Sequence, residues 1–246
     1  MRFIGGKARI AKDIAPLILK SNPQVVTEPF CGALNVSVAM LKLNPDLKIL
    51  ASDLHVDLIE MWKAAQDGWV PPKTLTKEEY EALKNSTQSP LRTFAGYGCS
   101  FSGRWWGGYA SDSSGRNYCG NAANSIEKIK PFLKNIIFSS HPYQDSGIGD
   151  VIYCDPPYAN TTKPGQKLDF NSELFWNWVQ NQKVPVFVSE YSSPLPFVWE
   201  KKVKTDMHTK NGQEERTENY SSIRPPKVTT YKKRKDNSLC KIENHI

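Results

Sequence analysis

The chain has 246 residues, 39% of them hydrophobic and 23% charged, with a net charge of +7 and a pI near 9.0. That profile describes a soluble globular protein whose core needs no disulfide staples. It excludes a membrane-spanning helix, since no stretch approaches the ~20 apolar residues a span requires. Five scattered cysteines without a C-x-x-C pair, and 4 histidines apart from them, argue against a zinc site or a disulfide framework. The first fifteen residues place glycines and charges where a signal peptide has its apolar centre, so a cytoplasmic location is expected. The basic balance suits a polyanionic partner or a merely well-solvated surface.

In chain order, Ile10, Ile14, Leu17 and Ile18 recur at helical spacing, with Pro16 set to kink or interrupt the helix. A short strand, Gln24 to Thr27, runs into the turn Glu28-Pro29-Phe30-Cys31-Gly32, and residues 34–43 read as a helix. A second strand, Leu47 to Ala51, closes at Ser52-Asp53 and is followed by a helix over 56–66. Strand, turn, helix, strand, acid, helix is the opening of a parallel α/β sheet. The alternation then stops. From Gly68 to about Lys130 there is one short helix, opened by a Thr76/Glu79 capping box with Leu75 and Tyr80 as its staple. A stretch rich in glycine, serine and aromatics follows, without helical period. The α/β pattern returns at Ile136, with strands near 136–140, 151–154 and 184–190 and a helix over 172–180. Basic residues dominate from Glu200 on, until a closing strand pair expected around 228–233.

Open α/β sheets bind ligands beyond the carboxyl ends of their strands. At the first such end, Gly32 permits close backbone approach and a helix start offers free N–H groups, although the same five residues also read as a plain tight turn. At the second, Asp53 stands where doubly wound folds hydrogen-bond a ribose, or simply caps a helix. Together Glu28 and Asp53 favour a nucleoside carrying positive charge over a nucleoside phosphate, and S-adenosylmethionine fits that description. At the third, Asp155-Pro156-Pro157-Tyr158 ends an apolar strand. Chance produces such a tetrapeptide in a chain of this length on the order of once in a thousand. The prolines fix the backbone and leave a rigid pair of acceptors, the Asp155 carboxylate and the Pro156 carbonyl, beside the flat face of Tyr158. Such a ledge suits the exocyclic amine of a nucleobase. Two acceptors take its two hydrogens, favour the pyramidal nitrogen and aim its lone pair at a methyl donor, with no metal needed.

These motifs, in this order, resemble the Dam-like α group of DNA adenine-N6 methyltransferases: Phe3-Ile4-Gly5-Gly6-Lys7, the Glu28–Gly32 loop, Asp53, an insertion and Asp155–Tyr158. The resemblance implies a Rossmann-like methyltransferase sheet, formed by residues 1–67 and 131–246, with an inserted target-recognition region at 68–130. It implies that Phe3, Lys7, Glu28, Phe30, Gly32, Asp53, Asp155 and Phe170 hold S-adenosylmethionine, with Asp169 beside Phe170. Asp155, Pro156 and Tyr158 would carry catalysis on an adenine flipped out of double-stranded DNA. Ser189-Glu190-Tyr191 matches the family pattern loosely, and Ala33-Leu34 departs from it where relatives carry more glycine.

In the insertion, Arg92, Arg104, Trp105, Arg116, Asn117 and Tyr118 supply cations, stacking rings and an amide suited to base edges, while residues 111–116 read as a hairpin tip able to enter a groove. The run Lys232-Lys233-Arg234-Lys235 suits phosphate contacts or plain solvation. No feature calls for more than a monomer or weak dimer. Three other readings stand beside this one: an RNA base-amine methyltransferase, a protein glutamine methyltransferase, and an inactive DNA-binding relative. The long insertion disfavours the first. Asp rather than Asn at position 155 disfavours the second, and the full set of motif acids disfavours the third.

Overall fold

The computed structural model describes residues 1, 3, 5–157, 170–190 and 194, and the backbone of short strands at 208–209, 212–213, 222–223, 230–233 and 239–242. Helix α1 (Ala11–Leu19) precedes β1 (Val25–Glu28), α2 (Asn35–Leu43), β2 (Lys48–Ser52) and α3 (Val56–Gln66). Helices α4 (Lys77–Lys84), α5 (Pro90–Gly98) and α6 (Tyr118–Leu133) come next. The chain then returns to the sheet through β3 (Ile136–Ser139), β4 (Val151–Cys154), α7 (Ser172–Gln180) and β5 (Val186–Val188).

The five strands are parallel in the order β3-β2-β1-β4-β5, and the strand Ser222–Ile223 adds antiparallel to β5. A separate antiparallel pair joins Thr230–Lys233 to Leu239–Ile242, which places a strand where the basic tail was read as closing. Both sheet faces are covered. Val151 and Tyr153 of β4 enter one buried cluster, while Ile152 and Cys154 enter the other together with Phe175, Trp176 and Val179 of α7. That is why β4 is a continuous apolar run rather than an alternating one.

The order also fixes where ligands can go. From β1 the chain moves outward to β2 and β3, whereas from β4 it moves the other way to β5. The carboxyl ends of β1 and β4 therefore flank the crevice at the point where strand order reverses. Glu28 ends one of these strands and Asp155 follows the other.

Two expectations change. Helix α1 continues through Pro16 rather than stopping there, with Ile14, Ala15 and Ile18 buried along its inner face. More consequential is the segment without helical period: its end runs into the 16-residue α6, and its start is α5. Ser89 caps that helix by accepting the Arg92 N–H at 3.1 Å, and Pro90 occupies its first turn, where a missing N–H costs nothing. The Thr76/Glu79 box at α4 forms as expected, with both reciprocal hydrogen bonds present.

Glycines in α5 disguise it, and packing explains them. A Cβ at Gly98 would lie 2.9 Å from the Ala122 Cβ of α6, and one at Gly96 would lie 2.6 Å from the Trp105 ring. The backbones approach so closely that no side chain fits between them. Phe94, Ala95, Ala123 and Ile126 accordingly belong to the same buried cluster as Ile14, Val26 and Ile49. Gly→Ala inside a helix ordinarily stabilises by up to ~1 kcal/mol. Gly98→Ala is expected to reverse that sign and destabilise by about 1–3 kcal/mol, measured by urea unfolding; an unchanged or raised midpoint would refute the close-packing account.

Candidate active site

Three carboxylates meet around the crevice. Glu28, at the end of β1, is 2% exposed and accepts a hydrogen bond from the Ser37 hydroxyl on α2. Burial pushes its carboxyl up to about 8; the Ser37 bond opposes the rise, and the charges of Asp155 and Asp53 add to it. Asp53, just past β2, acts as a clamp. One oxygen accepts the Gly32 N–H at 3.0 Å and the other the His55 N–H at 3.0 Å. Burial raises its carboxyl, and these backbone donors hold the rise down.

Gly32 is fixed on both sides, since its carbonyl also accepts the Trp62 indole N–H at 2.9 Å. Its φ of +46° falls in the left-handed region, and a Cβ there would stand 3.2 Å from the Phe3 ring, so glycine is required twice over. Leu34 completes the loop at φ 58° and opens α2 without a side-chain cap. A branched side chain in that conformation is strained, and full burial of Leu34 offsets the strain. The departure from a glycine-rich loop thus yields a rigid turn that leaves the first-turn N–H groups of α2 uncapped by any side chain.

Lys7 supplies the compensating charge. The residue is 5% exposed, and its ammonium stands 2.6 Å from an Asp155 oxygen and donates to the Gly5 carbonyl at 2.9 Å. Gly6, before it, has the Asn35 amide and the Phe3 carbonyl at 3.0 Å from any added Cβ. The glycine-glycine-lysine element is therefore packed against the start of α2, with its cation delivered to the end of β4. There the Ser189 N–H closes on the Cys154 carbonyl at 2.9 Å and the Tyr153 hydroxyl meets Ser189 Oγ at 2.9 Å, which fixes the root of the Asp155-Pro156 ledge.

Beside the acids stands a wall of rings. Phe30 stacks on Tyr143 with centroids 5.5 Å apart and meets Phe170 and Phe175 edge-on at 6.1 and 5.8 Å. Direct contacts thus link Lys7 to Asp155, Phe3 to Gly32, Gly32 to Asp53 and Phe30 to Phe170 near the carboxyl ends of β1, β2 and β4, where Glu28 also lies. Tyr158, Asp169 and Tyr191 lie outside the described residues, as do the side chains of the Lys232–Lys235 run. Among the described residues no acid, cysteine and histidine cluster could hold a metal.

A model of the D12 class of N6 adenine-specific DNA methyltransferases matches residues 3–95, the segment that carries Lys7, Glu28, Gly32 and Asp53. DNA adenine methylases of Salmonella typhi and Salmonella typhimurium are each 24% identical to the chain over 277 residues, covering 94% of it and 96% of the relative. The chain is thus similar to the D12 class along its N-terminal segment and to DNA adenine methylases over most of its length. Among solved structures, an rRNA methyltransferase from Streptomyces viridochromogenes is 12% identical and spans 88% of this chain and 83% of its own, with a TM-score of 0.39.

The six insertion residues fall into two groups. Arg92 and Trp105 sit together: the Arg92 guanidinium bonds Asp57 of α3 at 2.9 Å and lies over the Trp105 and Trp106 rings at 5.5 and 5.6 Å. Arg104, one residue away, is exposed. The second group surrounds Asp112, which accepts the Ser114 hydroxyl at 2.6 Å and the Tyr118 hydroxyl at 2.6 Å, contacts that hold its carboxyl well below the usual range. The Arg116 guanidinium lies over the Tyr118 ring at 5.9 Å. Asn117 caps α6, accepting the Gly120 N–H at 2.6 Å and donating to the Lys73 carbonyl at 3.0 Å. The expected hairpin tip is therefore a braced turn.

Ser37, Trp62, His55 and Tyr143 escaped the sequence reading, because each meets its partner through the tertiary fold. A weak signal existed for Ser37 alone, a hydroxyl on the helix that follows an acid-bearing strand end.

The Glu28 proton has a measurable sign. With a folded value near 8 against an ordinary 4.5, the folded chain keeps a proton that the unfolded chain releases. This stabilising contribution is complete below pH 4.5 and is lost as pH rises through 8. Wild type should lose a few kcal/mol across that window, at most about 1.4 kcal/mol for each pH step of one, and Glu28→Gln should flatten the curve. Parallel stability–pH profiles for the two proteins would contradict the burial of this acid.

Proposed function

We propose that the chain transfers a methyl group from S-adenosylmethionine to the N6 amine of adenine in a short duplex DNA sequence. The observation that carries this reading is the Asp155-Pro156 ledge held at the switch point beside Glu28 and Asp53. The donor set fits the cofactor. Glu28, ionised at the expense of its proton, suits the ammonium and sulfonium charges. Asp53 suits ribose hydroxyls, the uncapped start of α2 suits the carboxylate, and Phe30 with Phe170 offers ring faces to the adenine. When bound, S-adenosylmethionine supplies an electrophilic methyl group.

The chain's own residues do the rest. Asp155 and the Pro156 carbonyl accept the two amine hydrogens and hold the nitrogen pyramidal, with its lone pair free to attack. Lys7, 2.6 Å away, holds the Asp155 carboxylate in place beside the Pro156 carbonyl. The target base reaches the ledge only by leaving the helix stack, at a cost of a few kcal/mol, and Tyr158 is assigned to stack upon it. Arg104, Arg116 and Tyr118 are assigned to the DNA, with Arg92, Trp105 and Asn117 holding the loops that present them. The basic surface supports the polyanionic partner, and no helix among the described residues is long and apolar enough to cross a membrane.

The test is single-molecule sequencing of DNA from cells expressing the chain, read for N6-methyladenine. Wild type should mark adenines within one short sequence. Asp155→Ala should lower methylation by at least ~10²-fold while duplex binding persists in part. Equal marking by the two proteins, or label found only in ribosomal RNA, would defeat the reading.

A further inference from the structure

His55 joins two parts of the molecule. Its backbone N–H donates to Asp53 at 3.0 Å, and its Nδ1 accepts the Leu58 N–H at 3.3 Å, which caps α3. With Nδ1 accepting, the neutral ring carries its proton on Nε2, and that atom is buried without a hydrogen-bond partner among the described residues. A cap alone does not need an imidazole, since asparagine, aspartate and serine cap better and orphan no second nitrogen.

What the imidazole adds is a ring contact. It stands edge-on to Trp105 of the insertion at 4.7 Å and tilted to Tyr97 of α5 at 5.6 Å. Tyr97 in turn packs on Trp105 at 4.7 Å and on Phe3 at 4.7 Å. Phe3 lies over Gly32 at 3.2 Å from where a Cβ would stand, and Gly32 is the other residue that Asp53 clamps. A closed circuit therefore runs from Asp53 through His55, Trp105, Tyr97, Phe3 and Gly32 back to Asp53. One side of it is the Glu28–Gly32 loop. The other is the loop that carries exposed Arg104 and the left-handed Trp106, at φ 48°.

We infer that His55 is a positioning residue whose ring sets the Trp105 loop against the Glu28–Gly32 loop, so that the cofactor and duplex DNA bind cooperatively. The inference rests on the methyl-transfer reading for the identity of the two ligands. The physical basis is shared packing. Because the circuit is closed and tightly packed, a ligand that shifts Phe3 or Gly32 moves Tyr97 and His55, and through them Trp105, so a second ligand at the Trp105 loop finds part of its repositioning cost already met. The groups facing the imidazole are Asp53 and Asp57, together with Arg92 from α5. All three are retained in the variants below.

Two variants separate the ring from the cap. His55→Asn keeps a capping side chain and the N–H to Asp53 but removes the ring. His55→Phe keeps a ring but removes the cap. The Kd of S-adenosylhomocysteine, the demethylated form of the cofactor, is measured by calorimetry on the full chain. It is measured with and without a saturating duplex that carries the sequence found methylated by wild type. Each protein's own ratio of the two constants is the readout, so a general loss of affinity cancels. Wild type should show a ratio of about 5 or more, the lower end of ordinary coupling. His55→Asn should fall below about 2 with an unchanged melting temperature, and His55→Phe should keep most of the ratio while melting lower.

A ratio near 1 in wild type, or equal ratios in wild type and His55→Asn, would overturn the role of His55 and leave methyl transfer standing. If no adenine were methylated in any sequence, the methyl-transfer reading would fall first and this inference with it.

Discussion

A carboxylate leaves water at a cost of several kcal/mol unless it is paired, hydrogen-bonded or protonated. This chain brings three of them to neighbouring strand ends, and each is settled differently. Asp155 is paired with the Lys7 ammonium, Asp53 is held by two backbone N–H groups, and Glu28 bonds Ser37 and retains a proton. The three solutions are linked through charge. Asp53 and Asp155 both raise Glu28, so its proton reports how much negative charge the crevice already holds. A cationic ligand relieves this repulsion, whereas a phosphate would increase it. The burial of the acids thus favours a cationic ligand over a phosphate at these strand ends.

The same constraint accounts for the rigidity of the surrounding loops. An acid can be satisfied by backbone N–H groups only if those groups are held still. Gly32 is fixed by Asp53 on its N–H and Trp62 on its carbonyl, and Leu34 is fixed by burial in a strained conformation. The glycine-glycine-lysine element is fixed by its packing on Asn35 and Phe3. Preorganised dipoles of this kind stabilise charge without reorganising at the moment of reaction, which is the condition under which they accelerate it.

How much of this was legible in the sequence depended on whether the signal was local. The strand ends were legible, because prolines and a lone acid after an apolar run break the chain's period at fixed positions. The capping box at Thr76 was legible for the same reason. Helix α5 was not, because Gly96 and Gly98 lower helix propensity and their justification, contact with Trp105 and Ala122, lies elsewhere in the chain. Arg92 and Asn117 carry the side chains expected of a DNA contact, yet the fold gives Arg92 an ion pair with Asp57 and Asn117 a helix to cap. Residue type announced the chemistry; the partner decided its use.

The insertion therefore differs from a detachable reading head. Its helices share a buried cluster with the sheet, and its aromatic loop touches the clamp that shapes the Glu28–Gly32 turn. A module tethered by a linker could rebuild its recognition loops without consequence for the catalytic sheet. Here a change in the Trp105 loop alters what packs on His55 and Tyr97, and these residues reach Asp53, through the His55 backbone N–H, and the Phe3 ring. Any substitution near Arg104 must preserve these ring contacts or disturb the Glu28–Gly32 turn as well. The exposed turn around Asp112 and Arg116 carries no such obligation, since its bonds close on themselves and on the start of α6. Physical freedom to vary in sequence is thus greater at the Arg116 turn than at the Trp105 loop.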